Sequence, residues 1–396
     1  MRNKKVVIAA SAIALMSNGG MILSPALSGI IRHFSDVPES MVSMLITIPA
    51  LMMIPSSVLA SQLSRRFPSK RIFLVCLSML LVFGTLPVFV HEFPIVFMTR
   101  IFVGIAIGAM GPLATAMIAN HFEGDERNRA MGVYTATEGF GGASMLLFCG
   151  WVVGYGWNLC FLVYVLAALQ LALVALCCPK TDSISDESEI SFSSNERIMN
   201  PTLIRMMAIY FIYMTFLNVF AINNSLFIEE AGIGNNTLSG IVGALFQVSC
   251  FICGLLYSRV AGTFKKYTLG FGIGMSTVGM GVVFFAHSPL AVVLGSMSAG
   301  FGMGVTLATG NLINASSVTP TLSAMAIAVG AIAYQLAQFM TPFIVHPIAS
   351  VVFGEGYVRG RYGVSLVVLV VLTVIVVMTA GAFQKGSADG QGDAMK

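Results

Sequence analysis

Two ionisable side chains stand inside long apolar stretches, and they are the first candidates for chemistry. Arg100 lies in the fourth stretch, roughly a third of the way in from the outer face, and Glu138 in the fifth, roughly a third of the way in from the inner face. At about 1.5 Å per residue the axial gap between them is on the order of 9 Å, within reach of an arginine side chain plus one water. A charge in hydrocarbon costs about 2.5 to 3.5 kcal/mol, so each needs a partner or a function. A solitary carboxyl is suited to gaining and losing a proton, with Arg100 as its counter-charge. The alternative is a permanent salt bridge that only positions two helices.

Uncharged polar side chains at similar depth form a second set of candidates. Asn18 and Asn218 occupy matching positions near the middle of the first and seventh stretches. Comparable depths are reached in the eighth and eleventh stretches by Gln247, Tyr334, Gln335 and Gln338. A polar group facing lipid is costly, so these side chains predict a wet cavity that binds a small molecule. For each of them the alternative is a hydrogen bond to a neighbouring helix, worth about 0.6 kcal/mol.

The apolar stretches themselves set the class of protein. Hydrophobic residues make up 57% of the 396 residues and charged ones 10%, against about 25% charged in soluble domains. A bilayer core needs about 20 apolar residues per helix. We therefore predict an all-α membrane protein with twelve transmembrane helices, over Val6–Ile31, Met41–Gln62, Ile72–Val90, Phe93–Ile118, Ala130–Val153, Trp157–Cys178, Leu203–Ile228, Leu238–Ser258, Tyr267–Ala286, Pro289–Leu312, Ala324–Ile348 and Tyr362–Phe383.

The basic residues predict the orientation of these helices. Most Lys and Arg residues fall in alternate loops, starting with the N-terminus, and short cytoplasmic loops retain positive charge. Both termini are therefore predicted to be cytoplasmic, with Arg32, Arg359 and Arg361 outside. The first stretch resembles a signal peptide but continues through Ile31, which predicts an uncleaved helix. The net charge of +4 reflects the same rule, so we predict no nucleic-acid partner.

The chain divides near its middle. A polar, acidic segment at 179–201 predicts a flexible cytoplasmic linker between an N-terminal six-helix bundle, 1–178, and a C-terminal six-helix bundle with a short tail, 202–396. The two halves also resemble each other, because a basic loop follows the second and the eighth stretches. Parallel repeats of this kind predict a central pathway between two bundles.

The loop after the second stretch carries a family pattern. It reads Ser61-Gln-Leu-Ser-Arg-Arg-Phe-Pro-Ser-Lys-Arg71, and the residues that match G-x-L-x-D-R-x-G-r-K-r are Leu63, Arg66, Lys70 and Arg71. The chain resembles the major facilitator superfamily of transporters over nearly its whole length, and within it the twelve-span drug/proton antiporter branch. Arg65 stands where that family has an acid, which implies that the cytoplasmic latch of the family is altered here.

Two further motifs support this resemblance. Arg100 begins the pattern Arg100-x-x-x-Gly104-x-x-x-Gly108, which resembles a motif whose arginine is associated with proton transfer. The fifth stretch has Thr137-Glu-Gly-Phe-Gly-Gly142 where antiporters carry G-P-x-x-G-G. The partial loss of this motif puts export in question but not the fold.

These observations predict a secondary transporter that moves a small organic compound by alternating access, with proton-coupled efflux through Glu138 and Arg100. The alternative within transport is uptake or exchange of a small organic monoanion held by Arg100. A membrane sensor that keeps the fold without transport is the alternative of a different class. No nucleophile–base set, phosphate loop or metal-ligand spacing is found, so we predict neither enzymatic activity nor a cofactor. The predicted location is a bacterial-type cytoplasmic membrane, and the family implies a monomer.

Overall fold

The protein is seen in a computed structural model that describes residues 2–178, 199–319, 322–354 and 356–380. These residues form helices and connecting segments, without a strand among them. Residues 179–198 of the predicted linker and the tail from residue 381 lie outside the described residues.

The helices follow one another closely along the chain. The first half contains α1 Arg2–Ala14, α2 Leu27–His33, α3 Glu39–Leu63, α4 Ser69–Thr85, α5 Phe93–His121, α6 Gly124–Val152 and α7 Leu166–Cys177. The second half contains α8 Pro201–Glu230, α9 Asn236–Phe264, α10 Thr268–Phe284, α11 Pro289–Ser316, α12 Ser323–Phe353 and α13 Val358–Met378. Short 3₁₀ segments cover Gly19–Met21, Ser24–Ala26, Leu86–Val88, Trp157–Val165 and Lys265–Tyr267.

Ten stretches of the described residues are long and apolar enough to cross a membrane. One of them, Asn236–Phe284, contains both α9 and α10, whereas α6 is not among the ten. The helix α6 carries Glu138 and several glycines, which lower its hydropathy. The chain is therefore a multi-pass membrane protein, and the count of twelve transmembrane helices stays a prediction.

The first span is predicted at Val6–Ile31 and found at Lys4–His33, but its helix is interrupted, which was not predicted. The helix α1 ends at Ala14 and α2 begins at Leu27, and the chain between them forms turns and two short 3₁₀ segments. Within this interruption Gly19 donates to the Met16 carbonyl and Met21 to the Asn18 carbonyl, which are 3₁₀-type bonds. Such an interruption leaves backbone carbonyls unpaired in hydrocarbon, so other groups must satisfy them.

Close contacts divide the described residues into two compact units. The first takes its residues from Met1–Glu189, Asn224–Glu229 and Gly234–Ala244, and the second from Ile190–Asn223, Glu230–Ile233 and Leu245–Lys396. The predicted boundaries of the two six-helix bundles stay a prediction.

The segments from α8 and α9 that join the first unit are held by polar contacts. The Ser28 hydroxyl donates to the Asn236 side-chain carbonyl at 3.2 Å. Arg32 pairs with Glu229 at 2.6 Å, with both side chains substantially exposed. Further along, Gly150 of α6 and Gly240 of α9 touch through their backbones, since a Cβ on Gly150 would lie 2.6 Å from the Gly240 Cα. Glycine at both positions permits this approach.

Candidate functional site

The interruption of the first span is held by the buried side chain of Arg100. Its Nη2 donates to the Gly20 carbonyl inside the interruption, and its Nε donates to the Leu45 carbonyl of α3 at 2.8 Å. Its Nη1 donates to the Tyr164 hydroxyl at 2.6 Å. The guanidinium is fully buried, and its planar fork reaches three acceptors on three different segments. Arg100 thus supplies the donors that the interrupted backbone lacks.

Tyr164 is the second support of the interruption, and the sequence reasoning missed it. Its hydroxyl donates to the Gly19 carbonyl at 2.6 Å while accepting from Arg100. Gln170 of α7 acts similarly, because its Nε2 donates to the Ala12 carbonyl near the end of α1 at 2.7 Å. Tyr164 lies in an apolar segment without a recognisable motif. The one feature of the sequence that could have indicated its role is a hydroxyl group inside a membrane span.

The contact between Gly84 of α4 and the Tyr164 ring gives a first prediction. A Cβ on Gly84 would lie 2.4 Å from Cγ of that ring, so the substitution Gly84→Ala must displace the tyrosine. We expect a loss of about 1 to 3 kcal/mol of unfolding free energy. Gly111 of α5 is the matched control, because nothing lies within 4 Å of its added Cβ.

Denaturation of both variants in mixed micelles, followed by tryptophan fluorescence, measures the difference. The substitution Gly111→Ala should leave stability unchanged or raise it by up to about 1 kcal/mol, since it removes a glycine from a helix interior. Equal stability of the two variants would show that the Tyr164 ring is not held where the structure places it.

Glu138 lies beside the same interruption, on the face of α6 that packs against it. The Asn18 side-chain amide donates to the Glu138 backbone carbonyl at 3.4 Å. One turn further along α6, Gly141 packs so closely on the Leu15 carbonyl that an added Cβ would lie 2.0 Å from it. Glu138 itself is half-buried, and within the described chain no side chain bonds or pairs with its carboxylate. A half-buried carboxyl without a fixed counter-charge is a candidate for proton exchange.

Arg100 and Glu138 therefore each lie against the first span, but they do not form an ion pair with each other. The guanidinium of Arg100 is committed to Gly20, Leu45 and Tyr164, and among the described residues the ion pair of the chain is Arg32 with Glu229. Any approach of Arg100 to Glu138 would require these three hydrogen bonds to break.

The remaining amide candidates lie in the second unit, apart from Asn18. Asn218 is buried and donates to the Met214 carbonyl of its own helix at 2.8 Å. Gln247 is half-buried on α9. On α12, Gln338 is buried while Tyr334 and Gln335 are half-buried and already engaged in contacts. Whether these side chains bind a substrate stays a prediction.

The helices that carry Asn218 and Gln338 are joined by a hydrogen bond. The Thr341 hydroxyl of α12 donates to the Thr215 carbonyl of α8 at 3.1 Å. Asn218 and Gln338 are each three residues, about one helical turn, from this bond. The second unit thus places two buried amides close to one helix–helix contact.

A second buried arginine escaped the sequence reasoning, which placed Arg361 outside. Arg361 is buried at the start of α13, and its Nη1 donates to the Asn223 side-chain carbonyl of α8 at 2.7 Å. Nearby, the Val358 amide donates to the Glu230 carboxylate at 2.9 Å. The burial of Arg361 was not predicted from the sequence, whereas its place on the outer side of the membrane stays a prediction.

The loop motif lies after α3 and uses its lysine as a helix cap. The Lys70 ammonium donates to the carbonyls of Ala175 at 2.6 Å and Cys178 at 3.1 Å, at the end of α7. A cation at this position complements the unpaired carbonyls and the dipole of a helix C-terminus. The other matching residues, Leu63, Arg66 and Arg71, are exposed.

The fold and the interior together define a class. Membrane-crossing helices enclose a buried guanidinium, a half-buried unpaired carboxyl and an interrupted span, which is the arrangement of a multi-pass protein with a polar interior. The Major Facilitator Superfamily profile matches residues 9–342 of the chain. The chain belongs to this superfamily, and its class is that of a transporter rather than an enzyme.

Solved structures with the same fold include several transporters. The POT family transporter PepTSo is 12% identical, with a TM-score of 0.75 over 97% of this chain and 98% of its own. The nucleoside transporter NupG is 11% identical, with a TM-score of 0.73 over 97% of this chain and 100% of its own. The D-xylose-proton symporter is 15% identical, with a TM-score of 0.72 over 93% and 96%. At these identities the likeness concerns the fold.

Proposed function

We propose that the protein is a proton-coupled secondary transporter that exports a small organic compound by alternating access. The observation that carries this proposal is the position of Glu138. Its carboxyl is half-buried beside the interruption of the first span, next to Asn18 and without an ion-pair partner among the described residues. A carboxyl in this position changes its charge without breaking a salt bridge.

In this proposal Glu138 carries the coupling proton and Arg100 holds the backbone. When the carboxyl is neutral, the cost of keeping it away from water is small, and when it is charged it requires water or a polar ligand. Access to one side of the membrane therefore favours release of the proton, and substrate competes for the charged form. Arg100 and Tyr164 keep the Leu15–Asn18 segment against Glu138 throughout.

This division of roles disfavours transport of an organic monoanion through Arg100. A carboxylate ligand would have to displace the carbonyls of Gly20 and Leu45 from the guanidinium. Those carbonyls would then remain unpaired in a site away from water, at about 1 to 3 kcal/mol each. The D-xylose-proton symporter and the POT family transporter PepTSo share the fold, and their substrates do not transfer to this chain.

Alternating access requires contacts that form and break at low cost. The Arg32–Glu229 pair and the Ser28–Asn236 bond have this character, because the ion pair is exposed and such pairs contribute about 0.2 to 1 kcal/mol. We propose that these two contacts, both within the first compact unit, form and break during the transport cycle. In the proposed orientation both termini lie in the cytoplasm and the loop with Lys70 faces it, as the distribution of basic residues favours.

The remaining parts of the proposal rest on the sequence. Export follows the resemblance of the chain to the drug/proton antiporter branch, while Leu63, Arg66, Lys70 and Arg71 match the loop motif of the superfamily as a whole. The protein acts as a monomer in a bacterial-type cytoplasmic membrane. Asn18, Asn218, Gln247, Tyr334, Gln335 and Gln338 are the proposed substrate-binding side chains.

A ligand screen followed by proton flux tests this function. Purified protein is screened for compounds that raise its melting temperature, and each hit is loaded into vesicles that contain the protein and a pH-sensitive dye. We expect at least one hit to move protons across the vesicle membrane when its own gradient is imposed. Hits that cross the membrane with no accompanying proton movement would contradict the coupling.

A further inference from the structure

An apolar groove in the first unit lies beside the segment that carries Tyr164. The groove has a volume of about 660 Å³ and runs between α6 and the stretch where the 3₁₀ segment Trp157–Val165 continues into α7. Leu15, at the start of the interruption in the first span, also lines it.

The 3₁₀ segment explains why the groove is there. A 3₁₀ helix is narrower than an α-helix and its side chains at i and i+3 eclipse, so one that runs for nine residues leaves space beside its neighbour. Leu162 and Val165 are three residues apart and both line the groove. Phe161 and Tyr164 form the neighbouring row, and both are fully buried in the core.

The chemistry of the lining excludes a polar ligand. Of the groove residues, all within the described part of the chain, Ser144 is the one with a polar side chain. Among the lining residues, Phe140 of α6 is 69% exposed, and Leu169, which lies in the membrane-crossing stretch Trp157–Cys177, is 59% exposed. Apolar side chains exposed at such a position face lipid hydrocarbon.

We propose that this groove binds an acyl chain of a bilayer lipid. The groove borders Trp157–Cys177, a stretch suited to cross the membrane, so hydrocarbon chains surround its mouth at high concentration. The lining residues of α6 span Phe140 to Phe148, about 12 Å at 1.5 Å per residue, which is room for a chain segment and not for a head group. If the groove were empty, its lining side chains would lose the van der Waals contacts that an occupant provides.

The bound acyl chain contacts the segments that hold the interrupted span in place. Leu162 and Val165 contact the groove, and Tyr164 lies between them in sequence with its hydroxyl on the Gly19 carbonyl. An acyl chain in the groove presses on the same 3₁₀ segment and on Leu15 at the other side. The lipid therefore helps to fix the geometry that Arg100 and Tyr164 hold.

Photolabelling in vesicles tests this inference. The full chain is placed in phosphatidylcholine vesicles that contain a small fraction of phosphatidylcholine with a diazirine in its acyl chain, irradiated, digested and mapped by mass spectrometry. We expect label on 140–148 and 162–169 to exceed label on the lipid-exposed residues of α13 by about tenfold, the ratio for roughly two additional buried methylenes. Equal labelling of the two regions would overturn the proposal, and this comparison needs no variant.

Two variants on the same helix refine the result. The substitution Ser144→Phe fills the groove and should lower its labelling to the level of α13. The control Leu147→Phe adds the same ring at an exposed position that does not line the groove, and should change nothing. Unchanged labelling in Ser144→Phe would contradict the proposal. So would displacement of the label by a compound from the ligand screen, because the groove would then belong to the substrate.

Discussion

The substitution Arg100→Met is expected to lower the free energy of unfolding by about 3 to 5 kcal/mol. Methionine keeps much of the volume but removes every donor that holds Gly20, Leu45 and Tyr164. Two carbonyls and a hydroxyl would then be left without their partner in the interior of a membrane protein. Unfolding by dodecyl sulfate in mixed micelles, followed by tryptophan fluorescence, measures the loss.

Two further variants distinguish the role of the several guanidinium donors of Arg100 from the role of its charge. Arg100→Lys keeps the charge but presents a single ammonium, so it should lie between the wild type and Arg100→Met. Arg71→Met removes an exposed arginine of the loop motif and should leave stability within about 0.5 kcal/mol of the wild type. A stable Arg100→Met protein would show that the interruption of the first span does not depend on the guanidinium.

The substitution Glu138→Gln should abolish transport driven by a proton gradient while leaving exchange of substrate for substrate. Glutamine keeps the size and the hydrogen bonding of the neutral acid but cannot release a proton. The hydrogen bond from Asn18 goes to the Glu138 backbone, so the local structure should persist. Uptake and counterflow measured in the same vesicles, with a ligand from the screen, give the two rates.

The control for this variant removes an equivalent carboxyl elsewhere. Glu126 is exposed near the start of α6, so Glu126→Gln should leave both rates unchanged. Gradient-driven accumulation that survives in Glu138→Gln would assign the coupling to another residue. Loss of exchange together with accumulation would instead indicate a damaged substrate site.

The apolar stretches predicted most helices well, because a membrane span is defined by local length and composition. The interruption at 15–26 was not predicted. Pro25 is a local sign of it. The groups that satisfy its carbonyls are Arg100 and Tyr164, and Gln170 satisfies a carbonyl at the end of α1, but all three lie far along the chain. A hydropathy pattern contains no information about such distant partners.

The charged residues show the same limit. The sequence identified Arg100 and Glu138 as buried charges, because a charge inside an apolar stretch is conspicuous. It paired them because the axial gap between them, on the order of 9 Å, is within reach of an arginine side chain plus one water. Depth along the membrane normal, however, leaves the rotation of each helix undetermined. The sequence did not predict that the Arg361 side chain is buried and donates to Asn223. The direction in which a side chain points around its helix axis depends on how the neighbouring helices pack.

The most direct test of the account asks whether Glu138 gains and loses a proton. Infrared difference spectra of the protein in lipid, recorded between acidic and alkaline pH, report the stretching band of protonated carboxyl groups. We predict a band in the wild type that is lost at alkaline pH, is missing from Glu138→Gln, and changes when a ligand from the screen is added. Identical difference spectra of wild type and Glu138→Gln, with and without ligand, would contradict the account.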